Sequence, residues 1–206
     1  MSKLDISHFI LSTKVLGPYQ RCAIWVRGCN FDCEECIAYE MNRQEPNLWE
    51  AYELAEIFLN IENVEGITIS GGEPFLQSFA LCEMIEKIKE KRDFGVIVYT
   101  GHVYEDLVRS KDINVRKLLG YIDILIDGKY IKNLDDGKAY RGSSNQRILQ
   151  LTDRYIDVYE KYYFNNEKRN IEIDVKEKNV YLVGVPSAYG LEVWRKFKKK
   201  AGCEND

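Results

Sequence analysis

Long apolar segments are absent from this sequence of 206 residues. No stretch reaches the ~18 consecutive apolar residues of a membrane-spanning helix. The first residues, MSKLDISHFILSTK, also lack the apolar run and the small residues of a secretion signal. We therefore expect neither export nor membrane insertion, no membrane partner and a cytoplasmic location. In a reducing cytosol, clustered cysteines bind metal or take part in chemistry more often than they form disulfides.

An excess of positive charge is absent as well. Charged residues make up 30% of the chain and the net charge is -4, so no overall basic field attracts nucleic acid. We see no repeat, low-complexity tract or linker-like composition. A hydrophobic content of 45% over 206 residues is enough for the core of one sizeable domain. The chain is short for a second full domain, so we expect one.

Four short segments rich in β-branched and apolar residues predict buried strands. They are CAIWV, GITIS, GVIVYT and YIDILID, beginning near residues 22, 66, 95 and 121. The gaps between them have helical periodicity, carried by Tyr52, Ala55 and Leu59, by Leu81, Met84, Ile85 and Ile88, and by Leu107, Val108, Val115 and Leu118. This alternation predicts βαβ units on a parallel sheet, with the functional loops at the carboxyl ends of the strands.

The last part of the chain has a weaker pattern, and we divide the sequence into a core, residues 1–150, and a C-terminal extension, residues 151–206. The segment IEIDVKEKNVYLVG predicts a β-hairpin. The segment SAYGLEVWRKFKKK predicts a final helix with Leu191, Trp194 and Phe197 facing inward, and its basic end predicts a solvated helix face rather than a nucleic-acid patch.

Three cysteines, Cys29, Cys33 and Cys36, fall in the loop after the first predicted strand. Three thiolates in one short loop suit zinc or an iron-sulfur cluster. A structural zinc site needs a fourth ligand, and no second ligand pair is formed by the remaining cysteines and histidines, Cys22, Cys82, Cys203, His8 and His102. A 4Fe-4S cluster held by three thiolates instead leaves one iron open to a substrate or cofactor.

Four cysteine and histidine residues outside the cluster have structural interpretations. Cys22 and Cys82 lie in apolar periodic segments, which predicts core positions. Cys203 is near the terminus, where we expect exposure. We expect His102 to be solvated or to cap a helix, since no partner lies at ligand spacing.

The spacing C-x3-C-x2-C resembles that of the radical S-adenosylmethionine superfamily. The resemblance implies that Cys29, Cys33 and Cys36 hold a 4Fe-4S cluster, whose open iron is chelated by the amino and carboxylate groups of S-adenosylmethionine. It further implies reductive cleavage to a 5'-deoxyadenosyl radical, with no residue acting as general acid or base. The implied fold is an α/β fold, an incomplete parallel (β/α) barrel of the radical SAM type, with one side open to a large substrate. Glu35 occupies a place where the family often has an aromatic residue or glycine.

The segment Gly71-Gly72-Glu73-Pro74 follows the second predicted strand. By itself it predicts a turn in which the glycines adopt unusual backbone angles and Pro74 begins a helix. In this place it resembles the Gly-Gly-Glu motif of the same superfamily. The resemblance implies that the glycine edge admits the methionyl end of the cofactor and that Glu73 accepts a charge-assisted bond from its ammonium.

The segment Asp127-Gly128-Lys129 has two interpretations. Asp-Gly between apolar residues is typical of a type I' hairpin. The segment also resembles an Asp-x-Lys motif of glycyl-radical activating enzymes, which implies that Lys129 pairs with the cofactor carboxylate. Asp127 would then lie beside that carboxylate or hold a cation.

The segment YRGSSNQRIL, residues 140–149, is either a polar loop in which Ser143 or Ser144 caps a helix, or a binding loop. Its donors, with Arg141, Ser143 and Asn145 as our candidates, suit an anionic carboxylate or ribose hydroxyls. Together with GPYQRCAIWVRGC and with YTGHVYEDL, which contains the candidate Thr100, it resembles the activating proteins of anaerobic ribonucleotide reductases over roughly residues 15 to 150.

This resemblance implies a radical SAM enzyme that removes a hydrogen atom from a glycine Cα in a partner, an anaerobic ribonucleotide reductase. A flavodoxin- or ferredoxin-like protein would donate the electron. One alternative keeps the cofactor chemistry but acts on a peptide or small molecule. The other alternative is a non-enzymatic zinc-binding module.

Overall fold

The computed structural model describes residues 2–163, 169–176 and 179–200. The sequence-predicted Cys203 lies outside these ranges. The strands are β1 (Lys3–Thr13), β2 (Arg21–Val26), β3 (Leu48–Glu50), β4 (Gly66–Gly71), β5 (Gly95–Tyr99), β6 (Ile124–Asp127), β7 (Arg147–Gln150), β8 (Ile171–Lys176) and β9 (Asn179–Gly184). The helices are α1 (Ala51–Leu59), α2 (Ser78–Lys89), α3 (Tyr104–Val108), α4 (Ile113–Leu119), α5 (Ile156–Tyr163) and α6 (Ala188–Lys200).

Seven of the strands form one sheet in the order β3-β1-β2-β4-β5-β6-β7. The four predicted strands, β2, β4, β5 and β6, are parallel neighbours at its centre, as the sequence indicates. The outer strands β1, β3 and β7 pair antiparallel. Because parallel strands end at the same edge of a sheet, the loops after β2, β4, β5 and β6 all leave from one edge.

One face of the sheet is covered by helices. Alternate residues of the central strands, such as Ile67 and Ile69 of β4, pack against the apolar stripe of α2. Cys22 and Cys82 are buried in this core, as predicted. Burial raises the pKa of Cys22 to about 12 and that of Cys82 to about 11, so neither thiol is ionised at neutral pH.

The opposite face of the sheet is covered by the C-terminal extension. Tyr155, Tyr159 and Tyr163 pack on isoleucines of β5 and β6. Val183 of the predicted hairpin, which is present as β8 and β9, packs on Ile10 of β1 and its neighbours. The extension, through α5 and the hairpin, therefore covers the face opposite to α1, α2 and α4.

Arg21 connects this extension to the centre of the sheet. Its side chain is fully buried, and its guanidinium donates to Thr68 Oγ1 at 3.0 Å, to Glu65 Oε2 at 2.8 Å and to Tyr155 Oη at 2.8 Å. Further bonds to backbone carbonyls satisfy its other N–H groups, including one to Pro18. A buried arginine with this many acceptors holds its surroundings in one arrangement.

The helical pattern predicted in the third gap is present as two short helices, and Asp112 begins the second by accepting a bond from Asn114 N at 2.8 Å. Two other sequence-based interpretations are wrong. The type I' hairpin at Asp127-Gly128 does not form, since β6 pairs with β7 across the long connection 128–146. The final helix is present as α6, but it has no buried residue and Phe197 is 45% exposed.

The edge strands were not predicted from the sequence. In β1 the pairing with β2 shifts register between Ile6 and His8. This bulge interrupts the two-residue alternation by which a strand is recognised. Among the described residues, no helix combines the length and the hydropathy needed to cross a membrane.

Candidate functional site

The three clustered cysteines lie in one segment, residues 28–40, which we call the cysteine loop. It follows β2 at the carboxyl edge of the sheet. Cys29 is exposed, and Cys33 and Cys36 are half-buried. The loop is folded on itself, since Cys36 N donates to Cys33 O at 3.2 Å and Phe31 N donates to Cys29 Sγ at 3.4 Å. Backbone donors to sulfur of this kind stabilise thiolates.

The surroundings of the cysteine loop disfavour ionisation of two of its thiols. Partial loss of hydration raises the pKa of Cys29 and of Cys36. Repulsion from Cys33 adds to both increases, because two thiolates side by side carry like charges. Without a cation the protonated thiols are favoured, so binding of metal would release protons.

The donor set consists of thiols. Cys29, Cys33 and Cys36 offer three thiolate sulfurs from one loop, and thiolate is the ligand that iron-sulfur clusters take. In the described ranges, no three His, Cys, Asp or Glu side chains are grouped closely enough to hold a single metal ion.

Gly71-Gly72-Glu73 lies directly against the cysteine loop. Gly72 N donates to Val26 O and Glu73 N donates to Gly28 O, each at 2.7 Å. A Cβ on Gly72 would lie 2.0 Å from Gly28 O, and Gly71 has a φ of +109°. The close approach to Gly28 therefore requires a glycine at position 72, and the positive φ favours a glycine at position 71. Pro74 begins a short 3-10 helix, as predicted.

Glu73 joins the loop after β4 to the loop after β5. Its carboxylate is fully buried and accepts bonds from Phe75 N at 3.0 Å, Thr100 Oγ1 at 2.9 Å and Gly101 N at 2.9 Å. Burial raises the pKa of Glu73, and these donors oppose the rise. Both candidates, Glu73 and Thr100, therefore have structural partners at this edge, and their contacts with a cofactor stay predictions.

Phe31, within the cysteine loop, makes contacts with the neighbouring loops that the sequence did not indicate. Its ring lies so close to Gly101 that a Cβ there would be 2.4 Å from the ring. The ring of His102 is 4.8 Å away between centroids, and Lys129 Nζ lies 4.7 Å from the centre of the Phe31 ring. Phe31 thus brings the loops after β5 and β6 against the cysteines. His102 packs against Phe31, and it does not cap α3, which begins at Tyr104.

Asp127 and Lys129 have different surroundings. Asp127 is buried, accepts a bond from Tyr104 N at 2.8 Å and pairs with Arg147, which also binds both carboxylate oxygens of Glu105. Its carboxylate thereby holds α3 and β7 together. Lys129 is exposed, and in the described part of the chain no carboxylate lies at ion-pair distance from its ammonium. Lys129 is therefore available to an anionic group.

The segment 140–147 braces the turn that carries Lys129. Asn145 Nδ2 donates to Lys129 O at 2.8 Å, and Gln146 Nε2 donates to Gly128 O at 2.8 Å. The buried Ser143 accepts a bond from Ile131 N at 3.1 Å. The helix that Ser143 or Ser144 was expected to cap is absent, because the strand β7 follows.

Arg141 differs from the other candidates, because its guanidinium pairs with Asp136. None of its described contacts reaches the cysteine loop. Its backbone is held by Arg169 of the extension, which donates to Arg141 O at 2.8 Å, to Gly142 O at 3.0 Å and to Lys138 O at 2.9 Å. The extension therefore shapes this segment, a role that no sequence motif indicated.

Glu35 also links the cysteine loop to its surroundings. It has a φ of +56°, in the left-handed region that glycine adopts most easily. Its carboxylate lies 2.7 Å from Lys132 Nζ in the connection between β6 and β7. Glu35 thus holds a backbone angle that glycine would adopt with less strain, and its carboxylate has an ion-pair partner.

Comparison with known proteins agrees with this geometry. Residues 15–149 match the family described as a 4Fe-4S single cluster domain. An anaerobic ribonucleoside-triphosphate reductase-activating protein of Enterobacteria phage T4 is 30% identical over 145 residues, which span 68% of this chain and 89% of the relative. The chain belongs to this family of activating proteins.

Further members of the activating-protein family are similar to the chain. The protein of that name from Vibrio cholerae is 31% identical over 151 residues, covering 67% of this chain and 92% of the relative. That from Haemophilus influenzae is 31% identical over 141 residues, covering 64% and 88%. The match to the cluster-domain family includes all three clustered cysteines and ends at residue 149, before the extension.

The contact between Phe31 and Gly101 predicts a coupled effect on stability. Gly101→Ala should displace the ring and lower the free energy of unfolding by about 1 to 3 kcal/mol, because the added methyl overpacks the contact. In a Phe31→Ala background the same change should cost about 1 kcal/mol less. Urea unfolding of the four proteins of this cycle measures both values. Strictly additive effects would show that the two residues are not in contact.

Proposed function

We propose that this chain activates an anaerobic ribonucleoside-triphosphate reductase by radical S-adenosylmethionine chemistry. The observation that carries the proposal is the position of the cysteine loop. Within the region similar to activating proteins, it lies at the same sheet edge as Gly71-Gly72-Glu73 and Lys129. The relatives' names state that they activate an anaerobic ribonucleoside-triphosphate reductase.

In this proposal Cys29, Cys33 and Cys36 hold a 4Fe-4S cluster. Cys29 is exposed and accepts a bond from Phe31 N, and Cys33 and Cys36 are half-buried in the same loop, which suits thiolate ligation. When bound, the reduced cluster would supply the electron for reductive cleavage of S-adenosylmethionine, and this chemistry would remove a hydrogen atom from a glycine Cα of the reductase. The protein contributes binding, orientation and exclusion of water.

The binding roles follow from charge and space. Lys129, whose ammonium lies over the Phe31 ring and has no carboxylate at ion-pair distance among the described residues, suits the cofactor carboxylate. Gly71 and Gly72 hold the loop after β4 against the start of the cysteine loop, where the methionyl end of the cofactor would bind. Thr100 and Glu73 support this edge through their mutual bond at 2.9 Å. Asp127, Arg141, Ser143 and Asn145 act through the loops that they brace.

The fold belongs to the same proposal. The four parallel strands, the helices α1, α2 and α4 on one face and a sheet that ends at β3 and β7 support an incomplete (β/α) barrel. The proposed partners are the reductase, which offers the glycine, and a flavodoxin- or ferredoxin-like electron donor. A peptide or small-molecule substrate is the competing possibility that the second experiment below distinguishes.

The cluster assignment predicts metal content. Anaerobically reconstituted protein should be brown and contain about four irons per chain. Changing Cys29, Cys33 or Cys36 to Ala should abolish the colour, because each removes one corner of the site. Cys82→Ala and Cys203→Ala serve as controls that keep the iron. Zinc bound at full stoichiometry, with no iron retained in the wild type, would contradict the assignment.

The activation itself predicts a radical on the partner. Wild-type protein with a reductant, S-adenosylmethionine and the reductase of the same organism should give a glycine-centred radical, seen as a doublet by electron spin resonance. A glycine radical is chemically reasonable because the flanking amides delocalise it. Cofactor cleavage without this signal would contradict activation of the reductase. If a peptide or metabolite were modified instead, that molecule would be the substrate.

A further inference from the structure

The helix α6 is strongly cationic in a chain whose net charge is -4. Its charged residues are one acid, Glu192, and five bases, Arg195, Lys196, Lys198, Lys199 and Lys200. The helix lies outside the region 15–149 that matches the cluster-domain family. Its charge is therefore a property that this chain adds to the family domain.

The basic end of α6 lies against the cysteine loop. Lys198 Nζ is 3.0 Å from Glu40 Oε2. Glu40 follows Cys36 by four residues in the chain. The helix thus runs beside the loop that carries the third cluster cysteine.

Three of the five basic side chains of α6 have no ion-pair partner among the described residues. Lys196 pairs with Glu192 of the same helix at 2.6 Å, which leaves both side chains in solvent. For Arg195, Lys199 and Lys200, no carboxylate in the described ranges lies at ion-pair distance. The last turn therefore presents a positive surface next to the cysteine loop.

The same helix exposes an apolar stripe. Tyr189, Val193 and Phe197 are four residues apart, so they share one face, and they are 76%, 47% and 45% exposed. No residue of α6 is buried, so packing on the body of the protein does not account for these side chains. A helix that combines an exposed apolar stripe with cations is suited to a partner that is both acidic and partly apolar.

We propose that α6 is the docking site for a small acidic electron-carrier protein of the flavodoxin or ferredoxin type. The proposal rests on the proposed function, in which the cluster must receive an electron from a carrier. Charge complementarity selects an acidic partner and steers its approach. The ion pair between Lys198 and Glu40 places the docked carrier beside the cluster ligands.

Binding of oxidised flavodoxin to the reconstituted protein tests the proposal without relying on activity. Isothermal titration calorimetry should give an affinity that weakens steadily between about 50 mM and about 300 mM salt. A triple variant, Lys196→Gln, Lys199→Gln and Lys200→Gln, should bind about tenfold more weakly and depend less on salt. Lys198 is retained so that the helix keeps its contact with Glu40.

A matched control removes the same amount of charge elsewhere. The variant Lys89→Gln, Lys91→Gln and Lys111→Gln changes lysines at the end of α2 and between α3 and α4, and it should bind flavodoxin as the wild type does. Equal binding by wild type and the α6 variant, or an equal loss in the control, would overturn the proposal. So would wild-type protein that binds anionic vesicles or polynucleotides through α6 but not flavodoxin.

Reduction by dithionite separates this proposal from the proposed function. A small chemical reductant needs no docking site, so the α6 variant should cleave S-adenosylmethionine at the wild-type rate with dithionite. With reduced flavodoxin its rate should fall about tenfold at low carrier concentration. Flavodoxin binding through α6 in a wild-type protein that cleaves no cofactor with dithionite would support the docking site and contradict the radical chemistry.

Discussion

The close approach between Gly72 and Gly28 is the constraint on which the arrangement of the site depends. Two backbone bonds of 2.7 Å join the strand end at Val26 and Gly28 to Gly72 and Glu73. They form only because residue 72 has no Cβ, which would lie 2.0 Å from Gly28 O. The glycines therefore fix the start of the cysteine loop relative to β4. In this structure their role is to let the two loops approach closely.

The remaining loops are added to this pair by side chains. Glu73 accepts bonds from Thr100 and Gly101 and so attaches the loop after β5, while Phe31 packs on Gly101 and lies under Lys129. Four loops from four parallel strands become one connected unit. Preorganisation of this kind fixes a binding site before the ligand arrives. The extension contributes from the other side, through its bonds to the segment that braces Lys129.

The sequence predicted the parts of this unit better than their contacts. The strands β2, β4, β5 and β6 were predictable because each is short, apolar and bounded by turn residues, and the three cysteines because their spacing is specific. The contact of Phe31 with Gly101 was not, since it joins residues that are distant in the chain. The pair of Asp127 with Arg147 arises from the antiparallel register of β7, a strand too short to recognise. The exposure of Phe197 could not be predicted either, because helical periodicity gives a face but not its partner.

The affinity for S-adenosylmethionine tests most directly whether these loops form one binding site. We would titrate reconstituted wild-type protein, Lys129→Ala and Lys138→Ala with the cofactor by calorimetry. Both lysines lie in exposed parts of the same connection, but only Lys129 contacts the cysteine loop. The account predicts that Lys129→Ala keeps its iron and binds about 10- to 100-fold more weakly, from loss of one charge-assisted contact, whereas Lys138→Ala binds normally. Wild-type affinity in Lys129→Ala would contradict it.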